Sequence, residues 1–263
     1  MRGLYAIYRK EMSHYFVSPI AYIVVPIFLV LSAAFFNYIL GGVMQEAMEQ
    51  MIQGMQMGGG APNFDVPGVV LRAFLGIEGS IILFLSPLLA MGVYSEERKR
   101  GTMELLLTSP ITEWQIVLGK FLASVSLLIL MLFPTVVNVV FMFAHSEPVP
   151  PWRLIAGGYL GVLLLGGSLL AIGSFLSSLT ENQIVSGVLI LGISLLFWVM
   201  DIFAGQGTGS ASQALQYLSM SHHYDSFTRG VIDTTGLIFF GSWIFLGIFL
   251  TVRTVESMRW RRA

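Results

Sequence analysis

Six stretches of this chain, at about 20–40, 71–94, 115–143, 154–178, 184–204 and 235–252, are apolar almost throughout. Spans of about 20 residues cross about 30 Å of hydrocarbon as helices, and a helix satisfies its own backbone where no water can. The chain is therefore expected to be an all-α integral membrane bundle with six crossings. Composition agrees, because 55% of its 263 residues are hydrophobic, 11% are charged and mean hydropathy is +0.77, whereas a soluble domain is about 25% charged. With no cysteine, neither a disulfide framework nor a thiolate metal site can form.

Charge placement sets the expected orientation. Arg2, Arg9, Lys10, Arg98, Lys99, Arg100, Lys120, Arg253, Arg259, Arg261 and Arg262 fall on one side of the six spans, and Arg72, Arg153 and Arg229 on the other. Basic loops stay in the cytoplasm, so both termini are expected there. Trp114 and Trp260 would mark the inner interface, Trp152 and Trp198 the outer. Residues 1–18 place Leu4, Tyr5, Tyr8, Met12, Tyr15 and Phe16 at helical spacing opposite Arg2, Arg9, Lys10 and Ser13. That pattern predicts an amphipathic helix lying along the inner leaflet. No cleavable signal peptide is expected, since about eighteen mixed residues precede the first apolar run.

The densest charge cluster is the inner loop at 96–110, with Glu96, Glu97, Arg98, Lys99 and Arg100 followed by Gly101. Gly101 permits a tight break, Thr102 can cap a short helix, and Glu104 sits near the positive end of its dipole. Leu105, Leu106 and Leu107 give that helix an apolar side, and Pro110 forces Ser109 out of helical geometry. Thr112 and Gln115 then have capping-box spacing at the entry to the third span.

Other motifs carry less. There is no Gly-x-x-x-x-Gly-Lys-Ser/Thr phosphate loop, since Gly119-Lys120 is followed by Phe121, so nucleotide chemistry must reside in another chain. Asn37, Glu78, Asn138 and Asp201 lie in the outward halves of their spans. They read either as an outward-opening polar vestibule or, for Glu78, as a carboxylate that pairs locally or snorkels. Met44, Met48, Met51, Met55 and Met57 precede a glycine run and form either a packing stripe or a Cu(I) site. The outer segment at 61–68 reads as loop, and 205–234 as a long extracytoplasmic loop with an amphipathic piece at 211–220. His222, His223 and Asp225 lack a spaced third ligand, so no metal site and no catalytic residue is assigned. Gly157, Gly161, Gly166, Gly167 and Gly173 make the fourth span a close-packing helix.

The Glu-Glu-Arg-Lys-Arg-Gly-Thr-Met-Glu-Leu-Leu-Leu stretch resembles the loop between the second and third spans of ABC-2 type transporter permeases. Lys10-Glu11, Tyr15-Phe16 and Ser18-Pro19-Ile20-Ala21-Tyr22, together with His223, Phe227, Gly230 and Asp233, resemble the gliding-motility-associated members. The resemblance implies one ABC-2 domain over 1–263, of the type V exporter kind, with an N-terminal elbow helix. It implies that residues 96–110 carry a coupling helix whose Glu96, Glu97, Arg98, Arg100, Gly101, Thr102, Glu104, Leu105, Leu106, Leu107 and Pro110 engage a separate ABC ATPase. The partners it implies are two ATPase copies holding ATP and Mg, a second permease subunit identical or related, membrane lipid and an extracytoplasmic accessory protein. No cofactor and no enzymatic activity are expected in this chain, and no nucleic-acid partner. The expected location is the bacterial cytoplasmic (inner) membrane. The alternative is a stand-alone secondary transporter or copper-handling membrane protein using Glu78, Asp201 and the methionine stripe.

Overall fold

A computed structural model describes residues 2–56, 65–146, 151–206 and 217–260, and among these every regular element is a helix. In chain order they are α1 (Arg2–Val17), α2 (Pro19–Gln56), α3 (Val66–Ala90), α4 (Ser95–Lys99), α5 (Thr102–Leu107), α6 (Glu113–Ala144), α7 (Arg153–Leu179), α8 (Gln183–Gln206), α9 (Met220–Thr228) and α10 (Thr234–Trp260). Six of them, α2, α3, α6, α7, α8 and α10, are long and apolar enough to cross a membrane. The protein is a multi-pass membrane protein.

Several boundaries differ from the sequence reading for local reasons. The first span does not stop near residue 40, because α2 runs on for 38 residues in all, about 57 Å at 1.5 Å per residue. It carries Met44, Met48, Met51 and Met55 on its projecting part, while Met57 lies outside the described residues. The outer segment at 61–68 is not loop throughout: Asp65 accepts the Gly68 N–H at 3.0 Å, caps α3 and starts it at Val66 with Pro67 in the first turn. Most of the amphipathic piece at 211–220 lies outside the described residues, and Met220 opens α9 instead. The capping box at Thr112 and Gln115 is present and starts α6.

The core sits on α7, which packs against α3, α6, α8, α9 and α10. Burial ranks the spans: 72% of the α7 window is buried inside the molecule against 22% for α2 and α8, so α7 is the axis and the other two form the flanks. Small residues allow this. A methyl added at Gly161 would lie 2.4 Å from Phe227 Cβ, and one at Gly247 on α10 would lie 2.6 Å from the Ala171 backbone carbon. The glycines of the fourth span thus serve packing within the chain, where dispersion contacts between close helices replace the missing hydrophobic drive of a bilayer.

Candidate functional site

The end of the bundle at which α3 gives way to α4 holds the densest polar structure in the protein. The chain turns at Met91–Tyr94 and forms two very short helices, and Gly101 separates them in the left-handed conformation (φ 71°). Gly101, not Thr102, occupies the N-cap of α5, and no side chain caps it. A residue with a Cβ would be strained at that φ, which is why the break falls on the glycine. Thr102 sits one position later and its hydroxyl donates back to the Glu97 carbonyl at 3.4 Å.

Lys120 enters this region from α6 and is 1% exposed. Its ammonium donates to Glu11 on α1 at 2.9 Å and to the Val93 carbonyl at 2.9 Å, and lies 3.0 Å from Glu97 on α4. Glu97 also accepts from Lys10 at 2.6 Å. The Tyr94 ring closes over the ammonium at 5.2 Å. Four charges of balanced sign are thus shared by α1, α4 and α6. Desolvation of each is offset only because every one faces an opposite charge at hydrogen-bond distance.

Tyr15 and Tyr8 extend the α1–α6 seam, pairing with Ser124 at 2.8 Å and Ser126 at 3.1 Å. Burial pushes the Tyr15 phenol up to about 12, so it stays a hydroxyl. The face of α1 buried against the bundle is Ile7, Glu11 and Tyr15, while Tyr5 and Phe16 are exposed on the protein surface, where the expected leaflet-facing side of the helix would lie.

A second arm ties the same loop to α7. Arg98 donates to the Ser178 carbonyl at 2.7 Å and to Glu181 at 3.0 Å. Ser177 Oγ accepts the backbone N–H groups of Tyr94 and Ser95 at 3.1 and 3.2 Å and donates to the Met91 carbonyl. Beyond α5, Arg259 of α10 pairs with Glu113 at the start of α6. The α4–α5 loop is therefore bonded to α1, α6 and α7 at once, and its exit is clamped to α10.

On α5 the leucines divide. Leu105 is 74% exposed, whereas Leu106 packs with buried Met103 against Val93, Tyr94, Val117, Val252 and Val255. The side chain of Leu107 lies outside the description. Arg100 pairs with Glu96 at 2.6 Å along α4. The outward edge is thus Arg100, Gly101, Thr102, Glu104, Leu105 and Pro110, all exposed. Between this loop and α1 lies a cavity of about 570 Å³ reached by Ile7, Tyr15, Leu89, Leu105 and Leu106.

Of the four polar residues of the spans, the three whose side chains are described do not converge. Asn37 is exposed and donates to the Ala33 carbonyl of its own helix, Asn138 is exposed on α6, and the side chain of Asp201 lies outside the description. Glu78 is 0% exposed and faces Thr135, Tyr159 and Tyr224. Neither of its carboxylate oxygens forms a hydrogen bond of acceptable geometry among the described residues. The neighbouring hydroxyls are engaged elsewhere: Thr135 donates to the Leu132 carbonyl and accepts from Tyr159, and Tyr224 donates to the Leu75 carbonyl at 2.6 Å. Among the described side chains, Asn37, Glu78 and Asn138 do not line a common vestibule within this chain.

Met44, Met48, Met51 and Met55 are all exposed. His223 shares a hydrogen bond with the Ser219 carbonyl at 3.0 Å and stacks on Phe239 at 4.0 Å. No group of three His, Cys, Asp or Glu side chains that could hold a metal occurs among the described residues.

Sequence reasoning missed that Glu11 and Lys120 pair: it used Glu11 only in the family resemblance, and Lys120 only for orientation and to exclude a phosphate loop. A signal existed. Glu11 lies four residues from both Ile7 and Tyr15, on the face α1 buries, and Lys120 lies two turns inside an apolar helix; two opposite charges in such places each require a partner.

A family model described as "ABC-2 family transporter protein" matches residues 5–255. The probable multidrug ABC transporter permease YbhR of Escherichia coli, in strain K12 and in O157:H7, is 25% identical over 172 residues. The match covers 65% of this chain and 45% of the relative, so the chain accounts for less than half the length of those proteins.

Proposed function

Since the chain belongs to the ABC-2 family of transporter proteins, we propose that it is the permease subunit of an ATP-binding cassette exporter of a bacterial inner membrane. Both termini and the α4–α5 loop face the cytoplasm, following the distribution of Lys and Arg. Two copies of a separate ATPase hold ATP and Mg and dock on the exposed edge of α5, and a second permease subunit, identical or related, completes the pathway. Leu105 enters a groove on the ATPase while Glu104 and Arg100 set its register. Movement of α5 reaches α1 and α6 through Glu97, Lys120 and Glu11, and reaches α7 through Arg98 and Ser177.

The observation that carries this reading is that one short loop is hydrogen-bonded to α1, α6 and α7 simultaneously. A loop serving only to set topology needs none of those bonds. The cargo is an amphiphile or, as the resemblance to gliding-motility permeases implies, an extracytoplasmic partner protein on which work is done. The stand-alone transporter reading has less support, because Glu78, Asn37 and Asn138 point to three different surroundings.

ATPase stimulation in a reconstituted complex tests the proposal. Leu105→Asp should assemble in the membrane at wild-type level yet lose the stimulation of ATP hydrolysis by substrate. Undiminished stimulation in that variant would remove the coupling role.

A further inference from the structure

At the end of the bundle opposite the α4–α5 loop, a cavity of about 740 Å³ opens between α3, α8 and α9. That volume lies in the range of ligand-binding clefts, about 300 to 1,000 Å³. The sequence gives this end three arginines, Arg72, Arg153 and Arg229, and both Arg72 and Arg229 line this one cavity. Arg72 stands in the second turn of α3, close to the positive end of that helix, where a cation is electrostatically disfavoured. Among the described residues it forms no ion pair, whereas Arg229 is held by Asp225 at 2.6 Å on its own helix; Asp225 lines the same cavity, so the three side chains together leave one uncompensated positive charge, at Arg72. An unpaired guanidinium in an unfavourable place, beside a second arginine and an open cavity, is a site prepared for an anion.

Part of the wall is apolar and aromatic, made by Leu83, Leu165, Phe197 and Trp198. Gly76 keeps the α3 wall low, since a Cβ there would meet nothing within 4 Å, whereas at Gly79 the Tyr224 ring packs directly on the backbone and a Cβ would lie 2.8 Å from it. Charge on one part of the lining and hydrocarbon on another match a molecule with an anionic head and an apolar tail.

We propose that this cavity binds a phospholipid-like amphiphile of net negative charge, its anionic head between Arg72 and Arg229 and its chain against Phe197 and Trp198. The binding can be measured on the permease alone, so its outcome is separate from that of ATPase coupling.

The purified protein in phosphatidylcholine nanodiscs containing a minor fraction of phosphatidylglycerol is released into the gas phase, and retained lipid is counted by native mass spectrometry. Phosphatidylglycerol should be retained over phosphatidylcholine by about tenfold, the scale of one charge-assisted contact of about 1.4 kcal/mol. Arg72→Gln and Arg229→Gln should each remove most of that preference, and Arg153→Gln should leave it intact. Gly76→Phe should abolish retention by filling the cavity, and Ala73→Trp fills the same space from the adjacent turn should the first variant fold poorly. Equal retention of the two lipids, or an unchanged preference in the Arg72→Gln/Arg229→Gln double variant, overturns the site. Binding of inorganic phosphate with the same affinity as phosphatidylglycerol would mean that the tail contributes nothing, and would overturn the assignment to an amphiphile.

Discussion

Lys120 is the residue on which the polar end of the bundle turns. Removing its charge leaves Glu11 and Glu97 facing one another in a buried space, and breaking a buried pair of this kind costs about 3 to 5 kcal/mol. Lys120→Met should therefore lower the thermal unfolding midpoint in detergent far more than Lys10→Met. The Lys10 side chain is half exposed, and exposed pairs contribute about 0 to 1 kcal/mol. Equal effects of the two substitutions would show that the buried geometry is not what stabilises the loop. Glu78 is the converse case: its oxygens have no partner to lose, so Glu78→Gln should unfold within about 1 kcal/mol of wild type or above it. A large loss of stability in that variant would require a hydrogen bond that this arrangement lacks.

Among the elements, α5 and α10 offer the sharpest contrasts, since each carries chemically identical residues in opposite surroundings. Leu105→Asp places a charge in water, whereas Leu106→Asp places one against Val117, Val252 and Val255. The second should cost about 2 kcal/mol or more in unfolding measurements, and the first almost nothing. On α10, Gly247→Ala pushes a methyl into the Ala171 backbone and should destabilise by about 1 to 3 kcal/mol. Gly241→Ala meets open space and should be neutral or stabilising by about 0.5 to 1 kcal/mol, the difference in helix propensity. The capping box of α6 was legible because both of its partners are local in sequence. The burial of Leu106 was not, because part of the surface that covers it, Val252 and Val255, comes from residues more than a hundred positions further along.

For the whole molecule, the six crossings and their alternation predict which loops share a side. The chain has no cysteine, so single cysteines can report sidedness without removing native ones. Lys99→Cys should react with a membrane-impermeant maleimide only after intact cells are opened, and Ile232→Cys, in the exposed turn before α10, should react in intact cells. The reverse pattern would invert the orientation and detach α5 from any cytoplasmic ATPase.

The sequence by itself determined the six spans, the break at Gly101, the cap at Thr112 and the family loop, because each depends on periodicity or on residues within a few positions of one another. It also held the basic asymmetry from which orientation is argued. Only the tertiary structure decided that Lys120 meets Glu11 and Glu97, that Leu105 and not Leu106 faces outward, and that Glu78 is sealed in the core while Arg72 and Arg229 share a cavity. Those outcomes depend on how far each helix rotates about its own axis when α7 draws the others in, and no local pattern in an almost uniformly apolar span records that rotation.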